Sequence, residues 1–466
     1  MDKKSIINDT LVAFLSQGVG MFLSVIQSLL IPKILGVAEF GYWQLFIFYS
    51  SYVGLFHLGL NDGVYLIAGG QTRDKIDKAS IKSQFIAGAA YQLIFAAVIV
   101  FIALSGGFGA EREFVIACTG LFLVIKNTAT YLMYVLQAMN ETKKSSYSVI
   151  LERLIFLVPL AVLLVTRTTD FRPYVLSYLF SSLAQLLYCL WNVRDFISAG
   201  RFSPQEALGS CATSIRVGIK LMIANLASQL ILGIARLIID FEWGIETFSQ
   251  LSLALSLVTF FLAFVISASM VLFPALRQGT DAEVRSFFGS ARTLMGLVFP
   301  LVYLLYYPMV WLLGMWLPAY AESFIFFAYL IPICVFDSKM NIASTTFFKV
   351  KRMEKTLLII NVATALISTL LVIIGATLLH SIHFLIGSVV VAIIGRSLVS
   401  EHIVERELSL EPDLISWGEI VLTVLFMVSV VFLPAPLGFL TSTVAYGAFL
   451  WVNRKRLQGF IKGMRS

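Results

Sequence analysis

The sequence predicts an all-α, polytopic integral membrane protein of about 14 transmembrane helices: two pseudo-symmetric six-helix lobes plus two C-terminal helices. Three observations predict it. The chain is 59% hydrophobic and only 13% charged, about half the charged share of a soluble domain. Fourteen apolar stretches follow one another along its 466 residues, each near the roughly 20 residues that a hydrocarbon core about 30 Å thick requires. Lys and Arg, finally, crowd into alternate gaps. The gaps assigned to the cytoplasm, with both termini, hold 24 of the 34; the opposite gaps hold four, Lys33, Arg112, Arg167 and Arg172. Lys and Arg near span ends resist translocation, so the bias predicts an inner-membrane protein with both ends in the cytoplasm.

Taken in order, the spans are expected at 10–32, 41–70, 83–105, 114–137, 148–166, 173–193, 215–238, 247–273, 293–314, 323–348, 356–378, 381–400, 416–433 and 436–453. Lys3 and Lys4 precede the first; its apolar run is longer than a signal-peptide core and no A-x-A site follows, so it is expected to stay as a span. The seventh and twelfth spans are fixed by charge, since dropping either would invert everything downstream. The longest polar connection, 194–214, contains Pro204 and Gly209 and is expected to carry a short surface helix. The expected organisation is therefore an N-terminal lobe 1–198, a cytoplasmic linker 199–214, a C-terminal lobe 215–402, and 403–466 as two added helices and a basic tail resting on anionic lipid. Cys118, Cys189, Cys211 and Cys334 are scattered, three in spans and Cys211 in a cytoplasmic loop, with neither a disulfide framework nor a zinc spacing. The net charge of +7 sits mostly in cytoplasmic gaps, which reads as topology and lipid contact and not as nucleic-acid binding.

An internal repeat is expected from Glu39-Phe40-Gly41, which enters the second span, and Glu242-Trp243-Gly244, which enters the eighth. The offset is 203 residues, or six spans, which would make the two lobes parallel repeats.

Polar groups at mid-span carry the functional signal, because a charge there costs roughly 2.5–3.5 kcal/mol on insertion scales. At about 100° per residue, Gln17, Ser24 and Ser28 share a face of the first span, and Ser50, Gly54, His57 and Asn61 form a stripe on the second beside Asp62. Lys126 lies mid-way along the fourth span with Thr119, Thr130 and Gln137. Asn225, Gln229 and Arg236 align on the seventh; Asp337, Asn341 and Ser344 align on the tenth, with Lys339 opposite. The expected picture is a hydrophilic cavity whose fixed charge is positive through Lys126, Arg153, Arg236 and Lys339, suited to an anionic cargo. Asp62 and Asp337 are the deep acids expected to carry a coupling ion. Arg216 and Lys220 are expected to snorkel to the interface. Gly59-x-x-x-Gly63 is expected to allow close helix packing. No P-loop, H-E-x-x-H or G-x-S-x-G motif is present, no metal or cofactor is expected, and the outer loops are too short for an active domain. A transporter is favoured over an enzyme.

The stretch Ile31 to Leu45 (IPKILGVAEFGYWQL) and its continuation Ser51 to Gly63 (SYVGLFHLGLNDG) resemble bacterial polysaccharide flippases, the O-antigen and capsule repeat-unit translocases. These belong to the multidrug/oligosaccharidyl-lipid/polysaccharide exporter superfamily. The resemblance implies an undecaprenyl-pyrophosphate-linked oligosaccharide as cargo, alternating access between two six-helix lobes, and a polymerase and chain-length machinery as partners beside membrane lipids. It also implies that lumenal cations meet the diphosphate, a role that Lys126, Arg153, Arg236 and Lys339 fit by type and place. The first span has no Arg, unlike the Arg-rich first helix of peptidoglycan-precursor flippases. The competing readings are an H⁺- or Na⁺-coupled drug or metabolite antiporter of the same superfamily and a membrane polysaccharide polymerase.

Overall fold

The computed structural model describes residues 22–198, 202–278, 280–411 and 414–456, with positions 18, 20 and 458; Gln17 lies outside the described residues. Among these, the regular structure is helical throughout. Eleven helices are long and apolar enough to cross a membrane, and Phe22–Leu35 is a shorter apolar helix. The second span is present in two pieces, and the seventh and eighth run together as Pro204–Gln278 with one non-helical residue, Gly244. The described residues thus contain a counterpart to each of the 14 expected spans, the first only from Phe22 onward. Large apolar side chains face outward, as lipid contact allows: Phe101, Leu104, Val165 and Phe432 are exposed, while others, such as Trp43, Phe46 and Phe336, are fully buried between helices.

The chain divides into two compact units, Met1–Leu226 and Ala227–Ser466. In the first, Asp77 caps the third span by accepting from the backbone N–H of Ala79 and Ser80 at 3.0 and 3.1 Å. That helix, Lys78–Ser105, turns Ser83, Gln84, Gly88, Gln92 and Ala96 inward. They meet the fourth span, Ala110–Ala138, which also packs against the sixth and both pieces of the second.

The second span is not the continuous helix expected over 41–70. It runs Val37–Ser51, tightens to a 3-10 turn over Val53–His57, passes through Leu58 and Gly59 at φ 53° and 87°, and resumes as Leu60–Ala68. Backbone freed at such a break must find partners within the protein. The Gly59 N–H donates to His57 Nδ1 at 3.0 Å, Tyr91 donates to the His57 carbonyl at 3.0 Å, and Asn127 donates to the Val53 carbonyl at 2.8 Å. Asn61 returns the favour to the Asn127 carbonyl at 3.0 Å. The break rotates one part of the expected stripe against the other, so Ser50 and Asn61 do not share a continuous helix face.

Gly59 and Gly63 do permit close packing, within the chain. They press on Ser214 and Gly218 so tightly that a Cβ at Gly63 would overlap the Ser214 carbonyl, and one at Gly218 would overlap the Gly59 carbonyl. Two small-xxx-small faces meet backbone to backbone. The connection 194–214 holds a one-turn helix, Arg194–Ile197, and from Pro204 onward it is already the helix of the seventh span. Cys211 therefore lies buried on a helix and not in a loop.

Gly244 (φ 80°, ψ 179°) has the same backbone conformation as Gly36 (φ 77°, ψ 175°), which joins the first span to the second. Aligning the two places Phe40 on Phe248 and Leu45 on Leu253, all four buried. The offset is 208 residues. This corrects the 203 suggested by the Glu-Phe-Gly and Glu-Trp-Gly triplets: the positive φ marks the joint, not the shared letters.

The second unit is built around the tenth span. Ala321–Lys339 is its most enclosed helix, continues through a π-helical turn, Met340–Thr345, and ends as Thr346–Val350. The twelfth span, Ile382–Glu407, packs on it. Tyr303 stacks on Phe426 at 4.8 Å and bonds Thr423 at 2.6 Å, tying the ninth span to the thirteenth.

Candidate site: a cationic chamber in the first unit

Three spans of the first unit converge on one ion pair. Lys126, on the fourth, donates to both carboxylate oxygens of Glu152, on the fifth, at 2.7 and 2.8 Å. Its third hydrogen goes to Gln185 Oε1, on the sixth, at 2.9 Å. Ser182 donates to Glu152 at 2.6 Å, and Gln185 reaches Ser148 at 3.5 Å. A half-buried ammonium and a buried carboxylate are thus neutralised and hydrogen-bonded, as a low dielectric demands.

These groups line a cavity of about 320 Å³ that also contains Ser24, Gln27, Thr130, Phe156, Tyr178 and Arg153. Arg153 follows Glu152 in the helix and lays its guanidinium against Gly20 of the first span, in the space a Cβ would fill. The formal sum over Lys126, Glu152 and Arg153 is +1. Amide and hydroxyl groups stand beside these charged groups, with the aromatic rings of Phe156 and Tyr178 in the wall.

Lys126 and Arg153 are the two expected cations that the structure brings together. Arg236 belongs to the second unit; it donates to Ser252 at 2.9 Å and sits 5.1 Å from the Phe248 ring centroid. Asn225 and Gln229 are exposed on the same helix. Asp337 pairs with Arg396 and accepts from Asn341 at 3.1 Å. Arg396 also reaches Ser228 and Asn361 at 3.3 and 3.5 Å. His57 and Asp62 lie side by side, Nε2 to Oδ2 3.8 Å, at the break in the second span.

Lys339 requires a correction. It is 3% exposed and clamped between Glu401 at 3.0 Å and Glu419 at 2.6 Å. A cation held by two carboxylates presents no positive face to cargo. Asp337 and Asp62 are also not the only deep acids: Glu152, Glu401, Glu405 and Glu419 are all buried. Arg292 and Arg396, counted from sequence among the cytoplasmic gaps, lie inside helices against Glu405 and Asp337. These pairs join different spans, so no local spacing in the sequence signals them.

The described residues form a polytopic helical membrane protein with paired glycine joints and a polar chamber in its first unit. The lipid II flippase MurJ, in an inward closed conformation, superposes with a TM-score of 0.65 over 97% of this chain and 99% of its own, at 11% identity. An inward-facing multidrug resistance MATE transporter of the MOP superfamily gives 0.62 over 84% and 94%, at 12% identity. A MOP superfamily transporter from Pyrococcus furiosus gives 0.50 over 87% and 96%, also at 12%. No curated protein matches the sequence. The polysaccharide biosynthesis protein family matches residues 6–280, more than half of the chain, and the protein belongs to that family.

Proposed function

We propose that the protein moves a polyprenyl-pyrophosphate-linked oligosaccharide repeat unit from the cytoplasmic to the outer leaflet of the bacterial inner membrane, with both termini cytoplasmic, for surface polysaccharide assembly. The observation that supports this reading is the polar chamber that places Lys126 and Arg153 together, in a chain of the polysaccharide biosynthesis family. The diphosphate is the anion that Arg153 would meet, with Lys126 held ready by Glu152. A diphosphate carries about two negative charges, so export down an inside-negative potential is favoured by roughly 4–5 kcal/mol per 100 mV, and no nucleotide hydrolysis is required. Polymerase and chain-length proteins would take the product at the outer leaflet.

The test is the sidedness of lipid-linked repeat units in a deletion strain, read with a membrane-impermeant sugar-modifying reagent on whole cells and inverted vesicles. Accumulation on the cytoplasmic leaflet supports the flippase. Accumulation on the outer leaflet supports a polymerase. No accumulation moves the reading to a coupled antiporter, which the adjacent His57 and Asp62 would serve.

A further inference from the structure

The sixth and fourteenth spans end in the same local structure. Trp191-Asn192-Val193-Arg194 closes the helix Arg172–Asn192, and Trp451-Val452-Asn453-Arg454 closes Ala435–Val452. In each, the residue two after Trp, Val193 or Asn453, caps the helix by donating its N–H to the carbonyl four residues back, Cys189 or Phe449, at 3.1 Å. The carbonyl of that capping residue then accepts from the N–H three residues on, Phe196 at 2.9 Å or Arg456 at 3.0 Å. An asparagine in each stretch, Asn192 or Asn453, donates its side-chain amide to the carbonyl four residues before it at 2.9 Å. The turn so fixed carries the Arg back over the indole. Its guanidinium carbon lies 4.4 Å from the Trp191 ring centroid in the first unit and 4.8 Å from that of Trp451 in the second.

Both rings stand outside the protein. Trp191 is 67% exposed and Trp451 66%, and both arginines are exposed. An exposed Trp at a span end belongs at the headgroup level, where an apolar ring and a polar edge are both satisfied. A guanidinium stacked through its face keeps the N–H groups of its edge for an anion, and that planar fork matches two oxygens of a phosphate. The acid next to Arg194 is already engaged: Asp195 accepts from Arg73 at 2.6 Å and from Lys78 at 2.9 Å. Arg454 is followed by Lys455 and Arg456. A zwitterionic headgroup would bring its own ammonium up to these cations; an anionic one brings none. Each stretch ends an even-numbered span, the side that the Lys and Arg bias assigns to the cytoplasm.

We propose that each Trp-x-x-Arg turn is a binding site for the phosphate of an anionic phospholipid, with the indole among the upper acyl chains and the edge of the Arg donating to the phosphate oxygens. The proposal is independent of what the protein transports.

The test is tryptophan fluorescence of the full chain in phosphatidylcholine nanodiscs containing a minor fraction of lipid brominated on its acyl chains, either phosphatidylglycerol or phosphatidylcholine. Trp191→Phe, Trp451→Phe and Trp311→Phe give the share of each ring in the signal; Trp311, an exposed ring of the ninth span, is the comparison. One Arg at an anionic surface enriches such a lipid about fivefold. Brominated phosphatidylglycerol should therefore quench the Trp191 and Trp451 shares more than brominated phosphatidylcholine does, and the Trp311 share equally. Arg194→Gln and Arg454→Gln should each abolish the preference at the adjoining ring and leave the other ring's intact. Equal quenching by the two lipids at Trp191 and Trp451, a preference that survives the Gln change, or a preference at only one of the two rings overturns the proposal. If a Phe variant does not fold, the Gln variants still decide: total quenching by brominated phosphatidylglycerol that does not fall below the wild type's overturns it.

Discussion

Lys126 and Glu152 form a closed pair in the wall of the cationic chamber, with both carboxylate oxygens within 2.8 Å of one ammonium. Removing Glu152 leaves two cations, Lys126 and Arg153, without that carboxylate. Breaking a fully buried pair costs about 3–5 kcal/mol; Lys126 is 27% exposed at its side chain, so Glu152→Gln is expected at or below the lower end. Lys126→Met combined with Glu152→Leu should recover most of that loss. Thermal melting of the purified variants checks both, and a double variant no more stable than Glu152→Gln would refute the pairing argument.

Gly20 makes room for the Arg153 guanidinium. Gly20→Ala should displace it and reduce export of surface polysaccharide as much as Arg153→Ala does, with protein abundance unchanged. Gly18→Ala, where a Cβ meets nothing within 4 Å, should leave export intact. Equal export in Gly20→Ala and wild type would remove Arg153 from the working site.

Gly36 and Gly244 occupy a backbone region essentially reserved for glycine, and no atom lies within 4 Å of a Cβ built at either. The cost of substitution is therefore conformational alone, about 1–3 kcal/mol at each site. Asn should be no better than Ala, because ψ near 180° lies outside the left-handed helical region that Asn tolerates. Denaturation of the four single variants checks this; a clear advantage for Asn would contradict it.

Gly63 faces backbone, which cannot move aside as a side chain can. Gly63→Ala should lower folded yield sharply, whereas Gly209→Ala, with open space around it, should be neutral. Detergent-extracted folded protein measured by size-exclusion chromatography distinguishes the two.

Asp195 accepts from Arg73 at 2.6 and 3.2 Å and from Lys78 at 2.9 Å, and the Arg73 hydrogen bonds hold its carboxyl well below the usual range. A depressed folded-state pKa stabilises fully above the ordinary value of about 4 and is lost as pH falls below it. The stability gap between wild type and Asp195→Asn should therefore be constant from pH 8 to about 5 and close in acid. Melting curves across that range check the sign; a gap that widens in acid would reverse it.

The spans were legible because a bilayer imposes length and hydropathy on each one, and Lys126 and Arg153 stood out as charges where charge is expensive. Pairing was not legible. Glu401 lies just past the expected end of the twelfth span, which in the structure runs on to Glu407, and Glu419, near the start of the thirteenth, gives no sign in sequence of its partner Lys339. Arg396, although inside the expected span 381–400, was counted with the cytoplasmic cations, and its partner Asp337 lies on another span. The break at Leu58 was hidden because Leu carries no signal of a positive φ; only the neighbouring Gly59 hints at it. The repeat was detected through the right glycine, Gly244, but matched to Gly41 instead of Gly36, since identical letters are a weaker guide than an identical torsion.

The π turn at Met340–Thr345 holds one residue more than an α-helical path needs. The tenth span accommodates that residue without unwinding. Asp337 and Lys339 lie before the turn, so their pairs with Arg396 and with Glu401 and Glu419 do not depend on it. Deleting one residue from the turn should keep those pairs and change only the rotation of Thr346–Val350, so this turn sets the angular phase of the last part of the tenth span.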